Sequence, residues 1–148
     1  MKSGWQSDIT TFLATDAGNI QKSLEAYISD SSDSQKVAWR DSVRILQCEF
    51  RTLLKSDSSS NNFNVILEYK LPYEGRRPDA VILAKDIVFV LEFKGKESSD
   101  LADLDQVSAY TRDLKAYHRE CHEKEVIPIL VPTRASHKPV NRYGVQVV

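Results

Sequence analysis

Asp79, Glu92 and Lys94 are residues whose types and spacing suit phosphoryl chemistry. Glu92 and Lys94 stand two apart in IVFVLEFK, and a strand projects alternate residues to one side, so both face the same way. Asp79 opens the preceding run, DAVILAK; antiparallel pairing of the two runs about a turn near Lys85–Asp86 brings it beside them. Two carboxylates and an amine then converge at the end of a sheet. The hard oxygens of Asp79 and Glu92 suit Mg²⁺ or Mn²⁺, a cation that acidifies water and offsets charge on a phosphate. An amine on the same face can orient or deprotonate the attacking water, or stabilise the charged phosphate. That set fits phosphodiester hydrolysis. Any one of the three alone reads as a strand-start residue or a strand-end ion pair. A Glu ending an otherwise apolar strand, however, costs free energy to bury without a partner or a metal.

The elements that must position this set follow from periodicity. QKVAWRDSVRILQCEFRTLL reads as a long amphipathic helix, with Trp39, Val43, Leu46, Phe50 and Leu53 on one face and Ser34 as its cap. Ahead of it, residues 1–33 form a helical lead-in with Ser7 or Thr15 as caps and Leu24, Tyr27 and Ile28 as apolar positions. The polar stretches SDSSDS and KSDSSSNN are loops. Val65–Leu71 alternates as a strand with Glu68 and Lys70 on one side, PYEGRRP turns the chain, and DAVILAK and IVFVLEFK are the second and third strands. The third is apolar on both faces until Glu92, as a central strand should be. ESSD caps a second amphipathic helix, with Asp100, Asp103 and Asp105 near its positive end and Leu104, Val107, Leu114 and His118 facing the core. Val126–Val131 is a fourth strand and YGVQVV a fifth. The order α-β-β-β-α-β makes an α/β fold, a mixed central sheet flanked by helices. Trp5 and Trp39 are expected in the core.

The 148 residues suit one domain, with 34–131 as core and 132–148 as a C-terminal strand and extension. A hydrophobic fraction of 41% with 28% charged residues is that of a soluble globular chain. Net charge is −1, which counts against a broad basic surface but leaves room for a local patch. Cys48 and Cys121 form no CxxC pair, the N-terminus is too polar for a secretory signal, and no apolar run reaches membrane-spanning length. These features predict a reduced, cytoplasmic setting.

The string resembles the PD-(D/E)XK nuclease superfamily, whose motif reads here as Pro78-Asp79 followed by Glu92-Phe93-Lys94. The resemblance implies a restriction-endonuclease-like αβββαβ core, with Asp79, Glu92 and the Phe93 carbonyl binding Mg²⁺ or Mn²⁺ and Lys94 catalytic. On the following helix, QVSAY places Gln106 and Tyr110 on one face. RecB-like members carry a Q-x-x-x-Y pattern there, which implies that both contact a metal ligand or a phosphate; plain packing is the alternative for Tyr110. A third acidic residue is common in the superfamily. Glu49 and Glu68 are the candidates, and a four-residue turn favours Glu68, diagonal to Asp79 with Lys70 opposite. Arg76, Arg77 and Lys96 flank the set and are either phosphate contacts or solvated turn charges.

The wider string also resembles the nuclease-like domain found ahead of P-loop ATPase or helicase modules in some bacterial proteins. No GxxxxGKS or GxxxxGKT loop occurs here, so the resemblance implies a fragment or a stand-alone relative of such a protein, with an ATPase or helicase module as companion. The expected activity is metal-dependent cleavage of DNA. Alternatives are an RNA-directed nuclease, or an inactive nuclease-like module that binds nucleic acid or regulates a partner. His118, Cys121 and His122 have zinc-ligand spacing, but no second pair completes a site.

Overall fold

Three polar side chains start the N-terminal helices, and all three stand one or two residues from the expected caps. In the computed structural model, which describes residues 3–71, 77–95, 100–117, 123–133, 140–142 and 144–147, Asp8 accepts from the Thr11 N–H at 2.7 Å and opens α1, Ile9–Ala14. Asp16 accepts from the Gly18 N–H at 3.0 Å and opens α2, Ala17–Tyr27. Ser32 accepts from the Gln35 N–H at 3.1 Å and opens α3, Asp33–Ser56. The two aspartates bring a full negative charge to a helix N-terminus, which a hydroxyl cannot. Ser7 lies instead in a short strand, β1, Trp5–Asp8, where it accepts from the Trp5 indole. Thr15 ends α1 and donates to the Thr11 carbonyl, and Ser34 hydrogen-bonds Ser32 inside α3. The lead-in is therefore a strand and two helices.

The chain divides into two compact units, Met1–Glu68 and Tyr69–Val148. In the first, α3 buries Trp39, Val43, Leu46 and Phe50, the stripe that periodicity assigns to its core face, while Leu53 is only half-buried. Phe50 meets Phe12 of α1 edge to face, ring centres 6.0 Å apart. Gln47 donates from one amide nitrogen to the Phe12 and Thr15 carbonyls, satisfying the end of α1 inside the unit. A short 3-10 helix, Ser58–Asn62, leads to β2, Asn64–Leu67, which pairs antiparallel with β1. Trp5 is half-buried.

The strand predicted to run to Leu71 stops at Leu67, and Val65, Ile66 and Leu67 are all buried, so the expected alternation does not hold. The physical reason lies at Glu68. Its backbone takes a left-handed φ of 54° and its carboxylate accepts the Trp39 indole N–H at 2.8 Å. Lys70 falls outside any strand.

In the second unit, β3, Ala80–Ala84, and β4, Ile87–Lys94, form the expected antiparallel hairpin about Lys85–Asp86, with Lys85 at φ 55°. α4, Leu101–Tyr117, crosses to β5, Glu125–Pro132, which runs parallel to β4 from Ile87↔Glu125 to Lys94↔Pro132. β7, Val145–Val147, adds parallel to β5. A three-residue β6, Val140–Arg142, too short to show a period, pairs antiparallel beyond it. The spatial order is β3-β4-β5-β7-β6, with β4 inside the sheet as its apolar run requires. α4 buries Leu104, Val107, Tyr110 and Leu114, the predicted stripe with Tyr110 added. His118 lies outside the described residues. The fold is α/β, N-terminal helices followed by a mixed sheet with a packed helix, and no described helix is long and apolar enough to cross a membrane.

Candidate active site

The β3–β4 register sets the site. Ala80 faces Leu91, so Asp79 and Glu92 stand at the next rung on the same side. Backbone and side chains lock the pair crosswise: the Asp79 N–H donates to Glu92 Oε1 at 3.2 Å, and the Phe93 N–H donates to Asp79 Oδ2 at 2.7 Å. Glu92 is 4% exposed, and Asp79 is half-buried.

Two carboxyls held this close and this dry cannot both ionise easily. Burial, then the neighbouring Asp79 charge, pushes Glu92 up to about 10. Asp79 is also raised, chiefly by burial and against the pull of its hydrogen bonds to Glu92 and Phe93 and of the Lys94 charge. At neutral pH the pair therefore holds a proton or calls for a cation.

Lys94, two residues along the same face, acts electrostatically on both carboxyls. Its ammonium also lies 4.0 Å from Asp103 Oδ1 on α4. Asp103 is a buried acid in the first turn of that helix, where it and Asp100 cap each other: the Asp100 N–H donates to Asp103 Oδ2 at 3.3 Å, and the Asp103 N–H to Asp100 Oδ1 at 2.9 Å. Asp103 was legible in the sequence only as a helix-start acid. The sharper signal was its spacing, three residues before Gln106 and seven before Tyr110, which puts all three on one helix face. Gln106 Nε2 donates to Tyr110 Oη at 2.9 Å, and Tyr110 is buried beside core residues.

Glu49 is exposed on α3, and Glu68 is buried in the first unit on the Trp39 indole. Arg77 is half-buried; Arg76, Lys96, His118, Cys121 and His122 lie outside the described residues. Among the described residues no three His, Cys, Asp or Glu side chains gather as a metal cage. Asp79 and Glu92 nonetheless fit a hard cation: two carboxylates whose shared location disfavours their own charge. An Mg²⁺-type ion completes such a partial set with water. No family model matches the chain, and no curated protein or solved structure matches it.

Proposed function

We propose that this chain is a metal-dependent nuclease of the PD-(D/E)XK type, RecB-like, that hydrolyses phosphodiester bonds in DNA. The observation that carries the reading is the hydrogen-bonded Asp79–Glu92 pair, Glu92 buried and Asp79 half-buried, with Lys94 two residues beyond Glu92 on the same strand. The chain order α3, β2, β3, β4, α4, β5 supports the restriction-endonuclease-like αβββαβ core. So does the Pro78-Asp79 and Glu92-Phe93-Lys94 spelling on its strands.

Asp79 and Glu92, with the Phe93 carbonyl, would hold Mg²⁺ or Mn²⁺; bound there, such a cation lowers the pKa of water and offsets phosphate charge. The remaining work belongs to the chain. The Phe93 N–H fixes the Asp79 carboxylate, and the Asp79 N–H fixes that of Glu92, so neither rotates away. Lys94 supplies a positive charge or a proton acceptor to the attacking water and the phosphate, and Asp103 holds its ammonium in place from the helix side. Gln106, tied to Tyr110, is a further donor on the face that carries Asp103. Arg76, Arg77 and Lys96 are the cations nearest in sequence for phosphate contact.

The test is cleavage of labelled single- and double-stranded DNA and RNA with Mg²⁺ or Mn²⁺, before and after chelation. DNA cutting that stops on chelation and returns with the metal is expected. Cutting indifferent to exhaustive chelation, or none with either metal on any substrate, overturns the proposal. Binding without cutting would assign the chain to the nuclease-like modules that bind or regulate.

A further inference from the structure

One cleft lies wholly within the first unit, away in sequence from every residue of the candidate active site. It encloses about 780 Å³ where the end of α1 and the start of α2 meet α3. Four of the seven Lys and Arg in residues 1–68 line it (Lys22, Arg40, Arg44 and Arg51) but only two of the nine Asp and Glu, Asp16 and Glu25. The unit as a whole carries more acid than base, so this concentration is local.

Its geometry is that of a track. Arg40, Arg44, Gln47 and Arg51 follow one another at steps of four, three and four, hence on one face of α3, beside the face that Trp39, Val43, Leu46 and Phe50 bury. At about 1.5 Å per residue, Arg40 to Arg51 spans about 16 Å of helix. The wall is fixed by two buried glutamines: Gln47 holds the Phe12 and Thr15 carbonyls, and Gln21 accepts from Arg40 Nε at 3.0 Å while donating to Glu25. Asp16 is engaged as the α2 cap. Both acids in the lining are hydrogen-bonded within the unit but keep their charge, so four cations against two acids leave the cleft net positive. Among the described residues, Lys22, Arg44 and Arg51 have no hydrogen-bond or ion-pair partner, and all three are exposed. Three unmatched cations along one cleft repel one another unless an anion joins them.

We infer that this cleft binds the sugar–phosphate backbone of a nucleic acid strand. A single phosphate would meet one or two of these cations, whereas a strand carrying a charge every ~3.4 Å of its axis meets all of them along the 16 Å run. No aromatic side chain lines the cleft, so no base-stacking platform is present among the described residues. Recognition is therefore through charge and guanidinium hydrogen bonds, with little base preference and steep salt dependence. The inference concerns binding alone and stands or falls separately from the cleavage reading.

The experiment is fluorescence-anisotropy titration of the full chain with a labelled 20-nucleotide oligothymidylate in excess EDTA, across a salt series. The double variant Arg44→Glu, Arg51→Glu should raise Kd at least tenfold and make the log Kd against log salt slope shallower by roughly 1.4, two lost phosphate contacts at about 0.7 each for a single strand. Lys55→Glu, a charge reversal on α3 outside the cleft, should leave Kd unchanged. Both altered arginines are exposed, and a matching Tm verifies folding. No binding by the wild type, an unchanged Kd in the arginine variant, or an equal loss with Lys55→Glu each overturns the inference. Binding lost in the arginine variant supports it even where no substrate is cut. Cleavage of DNA by a chain whose binding ignores Arg44 and Arg51 would keep the nuclease and discard this cleft.

Discussion

Glu68 and Glu92 are hidden from solvent to almost the same degree, 5% and 4% exposed, one just past the end of β2 and the other two residues before the end of β4, yet the groups set against them differ. Glu68 receives an indole N–H at 2.8 Å, a donor that answers its charge. Glu92 accepts the Asp79 N–H at 3.2 Å but also stands beside the Asp79 carboxyl, whose charge works against its own. A buried acid with a dedicated donor stabilises a fold. A buried acid set beside another acid lowers stability until a proton or a cation arrives, and such an arrangement persists where it serves chemistry. On the proposed reading, Glu92 belongs to the site of the second unit, and the Trp39 indole gives Glu68 a structural task in the first.

The largest expected difference is in rate. Lys94→Ala removes the amine but keeps both carboxyls, and should slow DNA cleavage by on the order of 10² to 10⁴ with cation affinity largely kept. Asp79→Asn should lose as much by weakening the cation itself. Glu68→Gln should leave the rate per folded molecule unchanged, and a loss matching that of Asp79→Asn would make Glu68 a ligand after all. Single-turnover cleavage together with metal calorimetry separates these cases.

Stability against pH comes next. Glu92 has its folded pKa raised to about 10, far above its unfolded value near 4.5. The folded state then holds the proton that the unfolded state releases, so the contribution is fully present below pH ~4.5 and is lost progressively up to pH ~10. Metal-free protein should melt lower at pH 8 than at pH 5.5. Glu92→Gln, which keeps an acceptor for the Asp79 N–H without the charge, should flatten that dependence and raise the metal-free Tm at pH 8. A thermal-shift series in EDTA checks both signs; a wild type that gains stability as pH rises through this window contradicts the account.

A smaller effect is expected on the Glu68 side. Trp39→Phe retains most of the apolar bulk but strips the donor from a buried carboxylate, and should lower stability by about 1–3 kcal/mol in chemical denaturation. The smallest shift in stability belongs to Gln106→Ala. Gln106 is half-buried and bonded to Tyr110, so its loss should change unfolding free energy by about 1 kcal/mol or less while impairing cleavage. A large drop in melting temperature with normal cleavage would make Gln106 structural.

Much of the second unit was legible because its signals are local and repetitive. The apolar run of IVFVLEFK marks a strand inside the sheet, although Val88, Val90 and Glu92 are buried while Ile87, Phe89 and Phe93 on the other face are half-buried, and the two-residue step from Glu92 to Lys94 fixes their common side. Once Lys85–Asp86 is the turn, register brings Asp79 to Glu92 without further information. The failures came where one side chain overrode a period. Alternation from Val65 to Leu71 could not reveal that Glu68 turns the chain left-handed to reach an indole 29 residues earlier. The caps slipped because Asp8 and Asp16 stand next to hydroxyls that are also good caps, and charge decided between them. Asp103 was read as one of three helix-start acids, since its approach to Lys94 depends on how α4 packs against β4. The basic track on α3 is not legible from composition, because a net charge of −1 hides three cations on one face.

The central claim is that Asp79 and Glu92 form a divalent-cation site, and titration of Mn²⁺ into the metal-free protein at pH 7.5 tests it most directly. Calorimetry in two buffers of different ionisation enthalpy reads both the binding and the protons exchanged. The account predicts one cation bound by the wild type with release of about one proton, the proton that burial keeps on the pair, and binding greatly weakened in Glu92→Gln. No binding by the wild type, or the same affinity and no proton release in both proteins, would contradict it.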